Sequence, residues 1–380
     1  MTNSKIFLFC LISFLFGIFF GSFFHIPKLI IYEFFLLGIF YLFFKKRAIF
    51  CFGLCLIILG FGILKGDMAL QQTIEQKEGY LPFLKERLEN VIDDNLSPPQ
   101  SGLLSAILLG NKQDLNKEFK EKLNRAGIRH ITAVSGLHIV VLSGILLWLG
   151  MIFLSRGQSF YFAVAFLWLF ILMIGFQPSI IRAGIMGSLL LFCEKIGRQR
   201  IADRALFLTA TVMLLFNPSL LRYSIGFQLS FLATLGIIYF MPTLQHFLSK
   251  FKLFKTLKVD GLLAMSFAAQ IFTLPVLIYH FGQFSVVSPL TNLLVVPLLP
   301  YLMSLGFLFI FLGIIFLPIG LVFLFPLWLL LTYIKKVTEV FANLPFSALN
   351  FQLHWVYLII IYAFFVFLIW KIKRKGFLRG

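Results

Sequence analysis

The sequence predicts an all-α protein, a polytopic transmembrane helical bundle of roughly 11–12 spans with an interfacial amphipathic helix and a broken or re-entrant helix. Three observations predict it. Of 380 residues, 60% are hydrophobic, 17% aromatic and only 13% charged, whereas a soluble domain carries about a quarter charged residues. Apolar runs approaching the ~20 residues that cross a bilayer recur along the whole chain. Finally, 33 Lys+Arg outnumber 15 Asp+Glu, and the excess gathers beside those runs, at Lys45-Lys46-Arg47, Arg198 to Arg204, Lys250 to Lys258 and Lys371 to Lys375. Such clusters are the positive-inside signal for orientation. A basic surface for a polyanion is the sharper alternative and needs other support.

Residues 1–64 form an N-terminal membrane region with runs near 6–24, 28–44 and 48–64. Lys5 followed by a long apolar run resembles a signal peptide, but Gly21-Ser22-Phe23-Phe24 is not a small-x-small cleavage site, so it reads as a retained first span. Cys10, Cys51, Cys55 and Cys193 lie in apolar runs without a Cys-x-x-Cys pair and read as packing residues. Residues 65–125 carry most of the acids, with a turn at Asp93-Asp94 and Ser97-Pro98-Pro99. Within them Leu115, Phe119, Leu123 and Ala126 alternate with Lys117, Lys120, Glu121 and Lys122 at helical spacing, which predicts the amphipathic helix.

Residues 126–334 offer further runs near 131–154, 159–176, 179–193, 203–216, 223–241, 261–279, 286–317 and 318–334; residues 335–380 add a last run near 354–370 and a basic tail. Placing Lys45-Lys46-Arg47 in the cytoplasm puts both termini inside and residues 65–125 outside. Arg156 and the later basic clusters then fall inside, and only Lys335-Lys336 falls on the wrong side. In the 286–317 run, Pro289, Pro297 and Pro300 flank Asn292. Proline removes a backbone donor, and a broken ladder is tolerated at membrane depth where protein or a wet cavity satisfies the freed groups. A kinked or re-entrant element lining a cavity, or a simple proline-kinked span, follows.

Ionisable groups inside a membrane helix cost several kcal/mol unless they face a bundle interior or water, so they mark functional paths. Arg129, Thr132, Ser135 and His138 follow i+3 spacing and would form a drifting stripe on one helix, with His130 beside them. Gly136 and Gly144 would let another helix approach. Ser179 with Arg182, Ser224 with Gln228, and Ser266 with Gln270 and Thr273 give other helices one polar face each. Interhelical hydrogen bonding, worth about 0.6 kcal/mol on average, is the alternative to pore lining for the neutral residues. Arg182, four residues after Pro178, stays charged; a buried pair with Asp203 or Glu194 is its alternative.

Ser135 and His138 stand three apart, but a hydroxyl nucleophile also needs an oxyanion donor and a partner that orients the base. The chain has no Gly-x-Ser-x-Gly elbow, no His-x-His or His-Glu-x-x-His metal motif and no phosphate-binding Gly-x-x-x-x-Gly-Lys-Ser/Thr loop. No nuclease, ATPase, cofactor or metal site is therefore expected. A secondary transporter of a smaller anion would use the same broken helix and buried arginine. An intramembrane serine hydrolase built on Ser135 and His138 is a third reading.

Four blocks of sequence, in order, resemble the membrane-embedded competence domain of the ComEC family, the bacterial DNA-uptake channels. Residues 119–138 are similar to the amphipathic lead-in and Ser-Gly-Leu-His signature, here Ser135-Gly136-Leu137-His138. Pro178-Ser179-Ile180-Ile181-Arg182-Ala183 resembles a Pro-Ser-x-x-Arg-Ala span. Asp203 through Asn217-Pro218 to Gly226-Phe227-Gln228-Leu229-Ser230 resembles the family's longest signature. Gln270, Pro275, His280 and Asn292 through Pro297 resemble its late spans.

The resemblance implies a channel for single-stranded DNA in the bacterial cytoplasmic membrane. Arg129 and Arg182 would hold phosphates, Ser135, Gln228, Ser230, Gln270 and Asn292 would replace lost water, His130 and His138 would line the same path, and Phe227 and Phe231 would contact bases. Gly136, Pro178, Asp203, Gly226, Pro275, His280 and Pro297 would shape it. The implied partners are single-stranded DNA, a membrane DNA receptor, a cytoplasmic helicase or single-strand-binding protein that draws the strand inward, and a separate nuclease, with a homo-oligomer left open. Full-length relatives add an OB-like domain, reduced here to residues 65–125 at most, and a C-terminal metallo-β-lactamase-like domain without a counterpart here, so the likeness supports a channel and not a nuclease.

Overall fold

A computed structural model describes residues 3–44, 46–69, 80–195, 202–251, 256 and 259–374. Lys45, residues 198–201, most of the 250–258 cluster and the tail from Lys375 lie outside the described residues, as does the side chain of Glu194. The chain divides into two compact units, one of residues 1–77 and 188–231, the other of residues 78–187 and 232–380.

The first unit is built on α1 (Asn3–Phe23), α2 (Lys28–Leu42) and α3 (Arg47–Ala69). Gly17 and Gly21 of α1 meet Gly62 and Gly66 of α3 backbone to backbone. This is small-xxx-small packing, which replaces the missing hydrophobic drive between helices in lipid with close van der Waals contact. Against α1 pack α10 (Ala202–Phe216) and the short α11 (Leu220–Tyr223). Arg222 of α11 donates from Nη1 to the carbonyl of Ser22 at 2.7 Å, and its guanidinium lies over the rings of Phe23 and Tyr223. It thus caps the C-terminal end of α1, where helix carbonyls lack partners.

The second unit is centred on α5 (Gln100–Leu109), all ten residues of which are buried. A helix apolar on every side belongs in a core, and α4 (Pro82–Asp93), α15 (Leu299–Ile315) and α17 (Leu324–Ala342) enclose it. The amphipathic α6 (Lys117–Ala126) buries Phe119, Leu123 and Ala126 and packs along α17 and the strand β1 (Gln283–Ser285), so its apolar face lies against protein. β1 pairs antiparallel with β2 (Ala348–Asn350), with Phe284 opposite Leu349. The hairpin-like α7 (Gly136–Phe153) and α8 (Arg156–Ile174) pack together, and α9 (Pro178–Lys195) follows.

Further along run α12 (Ile225–Leu248), α13 (Asp260–Phe281) and α14 (Ser288–Val295), with α16 (Leu317–Val322) and α18 (Trp355–Arg374) after α15. Among the described residues, seven helices are long and apolar enough to cross a membrane, and Pro178–Cys193 and Trp355–Ile369 are shorter apolar helices. The protein is a multi-pass membrane protein.

One expectation changes, and one alternative left open is selected. The run near 318–334 is not one span: α16 folds against α15, and α17 carries Lys335, Lys336 and Glu339 and packs on α5 and α6. Its neighbours explain Lys335-Lys336, since those lysines travel with residues 100–126, where the parity count put them. The proline-rich run is broken but continuous: α14 passes through a 3-10 turn at Val296–Leu298 straight into α15, forming one helical run from Ser288 to Ile314. Pro297 withholds the donor that an α-helical turn needs there.

Candidate functional site

Residues 129–138 do not form one helix, so the expected i+3 stripe is absent. Arg129–Thr132 is a 3-10 turn, Ala133 is extended, and Ser135 is the N-cap of α7. Ser135 Oγ accepts the N–H of His138, while His138 Nδ1 accepts the N–H of Ser135 at 3.2 Å. This capping box satisfies two orphan donors of the first helical turn and explains why the two residues stand three apart. Because Nδ1 accepts, the neutral imidazole carries its proton on Nε2, which is buried without a hydrogen-bond partner. Ser135 Oγ and His138 Nδ1 lie 2.9 Å apart, and among the described residues no acid orients the ring as a hydrolytic triad requires.

Arg182 reaches this cap. A Cβ on Gly136 would stand 2.9 Å from Arg182 Nη2, so glycine leaves room for the guanidinium against the first turn of α7. Ser179, one turn earlier on α9, donates from Oγ to the carbonyl of Val134 at 3.3 Å. Arg182 is 9% exposed; Nη1 donates to Thr234 Oγ1 at 2.9 Å and to Met186 Sδ at 3.4 Å, both uncharged. Of the acids expected to pair with it, Asp203 accepts the neighbouring N–H of Arg204 at 2.7 Å in the first turn of α10. A guanidinium beside a helix N-terminus adds a full charge to the partial positive charge of the macrodipole. The cluster is a focus of donors.

A second cluster joins α13, β1 and α14 to the end of α6. Ser285, Ser288 and Thr291 donate from their hydroxyls to the carbonyls of Arg125, Gly127 and Ala126, at 2.8, 3.1 and 2.6 Å. These are the carbonyls a helix C-terminus leaves open. Gly127 sits at φ +75, and a Cβ there would run into Ser288. Gln270 Nε2 donates to the carbonyl of Ser285 at 3.0 Å, and Asn292 Nδ2 to Ser266 Oγ at 3.0 Å.

The other expected site residues have the following places and partners. Arg129 is exposed and donates to Asn124 Oδ1 at 3.1 Å, and His130 is exposed beside it. Gln228 Nε2 donates to the carbonyls of Leu221 and Arg222, tying α12 to the turn before it. Ser230 follows on α12 and is partly buried, and Gly226 opens that helix. Phe227 and Phe231, expected to meet bases, are buried and packed on each other with ring centroids 4.3 Å apart, because they share one face of α12 at i, i+4. Pro178 starts α9, Pro275 is buried inside α13, and His280 is exposed near its end.

Thr234, Arg222 and the hydroxyls of Ser285, Ser288 and Thr291 escaped the sequence reading. Only the last carried a signal, an i, i+3, i+6 run of hydroxyls.

A helical membrane protein with a buried arginine at a capped helix N-terminus is the class the structure defines. Residues 107–375 match the competence protein family, and the chain belongs to it, as a ComEC-family competence protein. It is 30% identical over 218 residues to ComE operon protein 3 of Bacillus subtilis (strain 168), covering 56% of this chain and 26% of that protein. It is also 30% identical over 240 residues to an uncharacterized protein of Aquifex aeolicus (strain VF5), covering 61% of this chain and 52% of that one. The chain thus spans about a quarter and about half of the length of these relatives. No solved structure matches it.

Proposed function

We propose that this chain is a channel of the bacterial cytoplasmic membrane that passes single-stranded DNA during competence. Membership of the competence family supports the role in DNA uptake. The observation that carries the channel reading is Arg182, a permanent charge 9% exposed and held against Gly136 at the N-terminus of α7. A charge is retained at membrane depth for a path or a partner, and guanidinium with helix N–H groups suits phosphate.

In the mechanism that follows, each phosphate exchanges its water for the guanidinium and the α7 terminus, then moves on as the next arrives. Contacts to the backbone ignore sequence, as uptake of arbitrary DNA demands. A cytoplasmic helicase or single-strand-binding protein draws the strand inward, a membrane receptor presents it, and a separate nuclease degrades its complement.

Transformation frequency measured beside membrane abundance tests the reading. Arg182→Ala abolishes transformation with the protein inserted at near-normal level, and Arg182→Lys retains part of it because a point charge still attracts phosphate. Loss of protein in proportion to loss of uptake, rescued by neutralising Asp203 or Glu194, makes Arg182 half of an ion pair instead.

A further inference from the structure

Asn292 commits both N–H groups of its amide and Gln270 one of its two, and each keeps a buried acceptor. Gln270 Nε2 is committed to the Ser285 carbonyl, which can only accept, so the orientation of that amide is set and Oε1 faces away from the bond. Asn292 Nδ2 is shared between Ser266 Oγ and Ser288 Oγ, at 3.0 and 3.4 Å. Ser288 already donates its hydroxyl proton to the Gly127 carbonyl, so it receives from Asn292 rather than giving to it. Both amide oxygens, Gln270 Oε1 and Asn292 Oδ1, are buried and have no hydrogen-bond partner among the described residues. A buried acceptor left alone costs about 1–3 kcal/mol, and two within one network call for a ligand.

The network is compact in sequence and in contact. Ser266 stands one turn before Gln270 on α13, and α13 packs against α14, which carries Ser288 and Asn292. The 3-10 turn at Val296–Leu298 follows Asn292 by one turn. Breaks in membrane helices flanked by oxygen ligands are where ion-coupled transporters hold their cations.

Buried amide oxygens without a donor repel phosphate and attract positive charge. We propose that Gln270 Oε1 and Asn292 Oδ1, with the hydroxyls of Ser266 and Ser288, belong to a binding site for a monovalent cation, Na+ or K+, at the contact of α13 and α14. Neutral amide and hydroxyl oxygens suit an alkali ion, as carbonyl rings do in potassium filters. Divalent ions are held by carboxylates, and this network contains none.

Thermal unfolding of the purified full chain in detergent, in NaCl, KCl or choline chloride at equal ionic strength and without DNA, tests the site. Na+ or K+ raises the midpoint saturably over choline, as a ligand of the folded state does. Asn292→Asp keeps an acceptor and adds charge, and lowers the half-saturating concentration by about tenfold. Gln270→Met, close in shape but lacking the oxygen, removes the cation dependence. No difference between choline and both alkali salts overturns the site, as does an unchanged half-saturation in Asn292→Asp; either result means that the oxygens hold water only. Should Gln270→Met fail to fold, Asn292→Asp decides alone. Because DNA is absent, the outcome is independent of the role of Arg182.

Discussion

The two polar clusters of the second unit are built from the same kinds of residue and end with opposite chemistry. At the N-terminus of α7, the cap pairs Ser135 Oγ and His138 Nδ1 with two backbone N–H groups, and Thr234 receives Arg182. The side chain brought there is a cation, the Arg182 guanidinium beside a helix N-terminus. At α13 and α14 the side chains are neutral: amide N–H groups go to the Ser285 carbonyl and the hydroxyls around Asn292, and both amide oxygens are buried without a partner among the described residues. Gln, Asn and Ser at membrane depth therefore do not announce their ligand. What counts is which half of each side chain the fold has used.

The comparison breaks first at Arg182. Arg182→Gln keeps a polar, hydrogen-bonding side chain and removes the charge, and it lowers transformation by about 100-fold, the roughly 2.7 kcal/mol of a lost charge-assisted contact. Uptake at the parental level with normal abundance would show that the Arg182 charge is not used. Gly127→Ala strikes the other cluster: a side chain at φ +75 that also meets Ser288 costs about 1–3 kcal/mol in strain alone. Membrane abundance falls accordingly, and cation-dependent stabilisation goes with it.

Smaller effects sharpen the contrast. Ser135→Ala removes one arm of the capping box and costs about 1 kcal/mol, while Thr291→Val removes the hydroxyl donated to the Ala126 carbonyl and costs about 1 kcal/mol. Thermal unfolding in detergent reads both. Equal losses of stability with unequal losses of transformation, greater for Ser135→Ala, locate the DNA contact at the α7 cap.

The smallest effect concerns α4. Burial raises the Glu89 carboxyl above its usual 4.5, with Lys85 opposing and Asp114 and Asp93 adding to it. The folded state then binds more protons than the unfolded one just above pH 4.5, so this contribution to stability is fully present below that pH and lost as pH rises through the folded value. Glu89→Gln flattens that slope, and unfolding midpoints from pH 4 to pH 8 check it. A slope unchanged by the substitution assigns it to other groups.

Much of the fold was legible because bilayers impose coarse rules. Apolar runs at α1, α7, α8 and α13 were readable from length alone, since a hydrocarbon core demands continuous apolar surface. The amphipathic α6 was readable from its period. Arg182 was singled out because a permanent charge cannot hide in an apolar run. Illegible were α5, whose ten residues looked like part of an extracytoplasmic segment, and α17, whose lysines looked misplaced; each takes its environment from helices distant in sequence.

By itself the sequence determined a helical membrane protein of the competence family, the positions of most of its apolar helices and the identity of its most costly buried charge. Tertiary structure decided that Ser135 and His138 form a cap, that Phe227 and Phe231 are buried, and that Gln270 and Asn292 keep buried amide oxygens. The reason is physical: hydrophobicity and period are properties of a segment, whereas hydrogen-bond donors and acceptors are assigned only when their partners, 165 residues away in the case of Ala126 and Thr291, have been brought into reach.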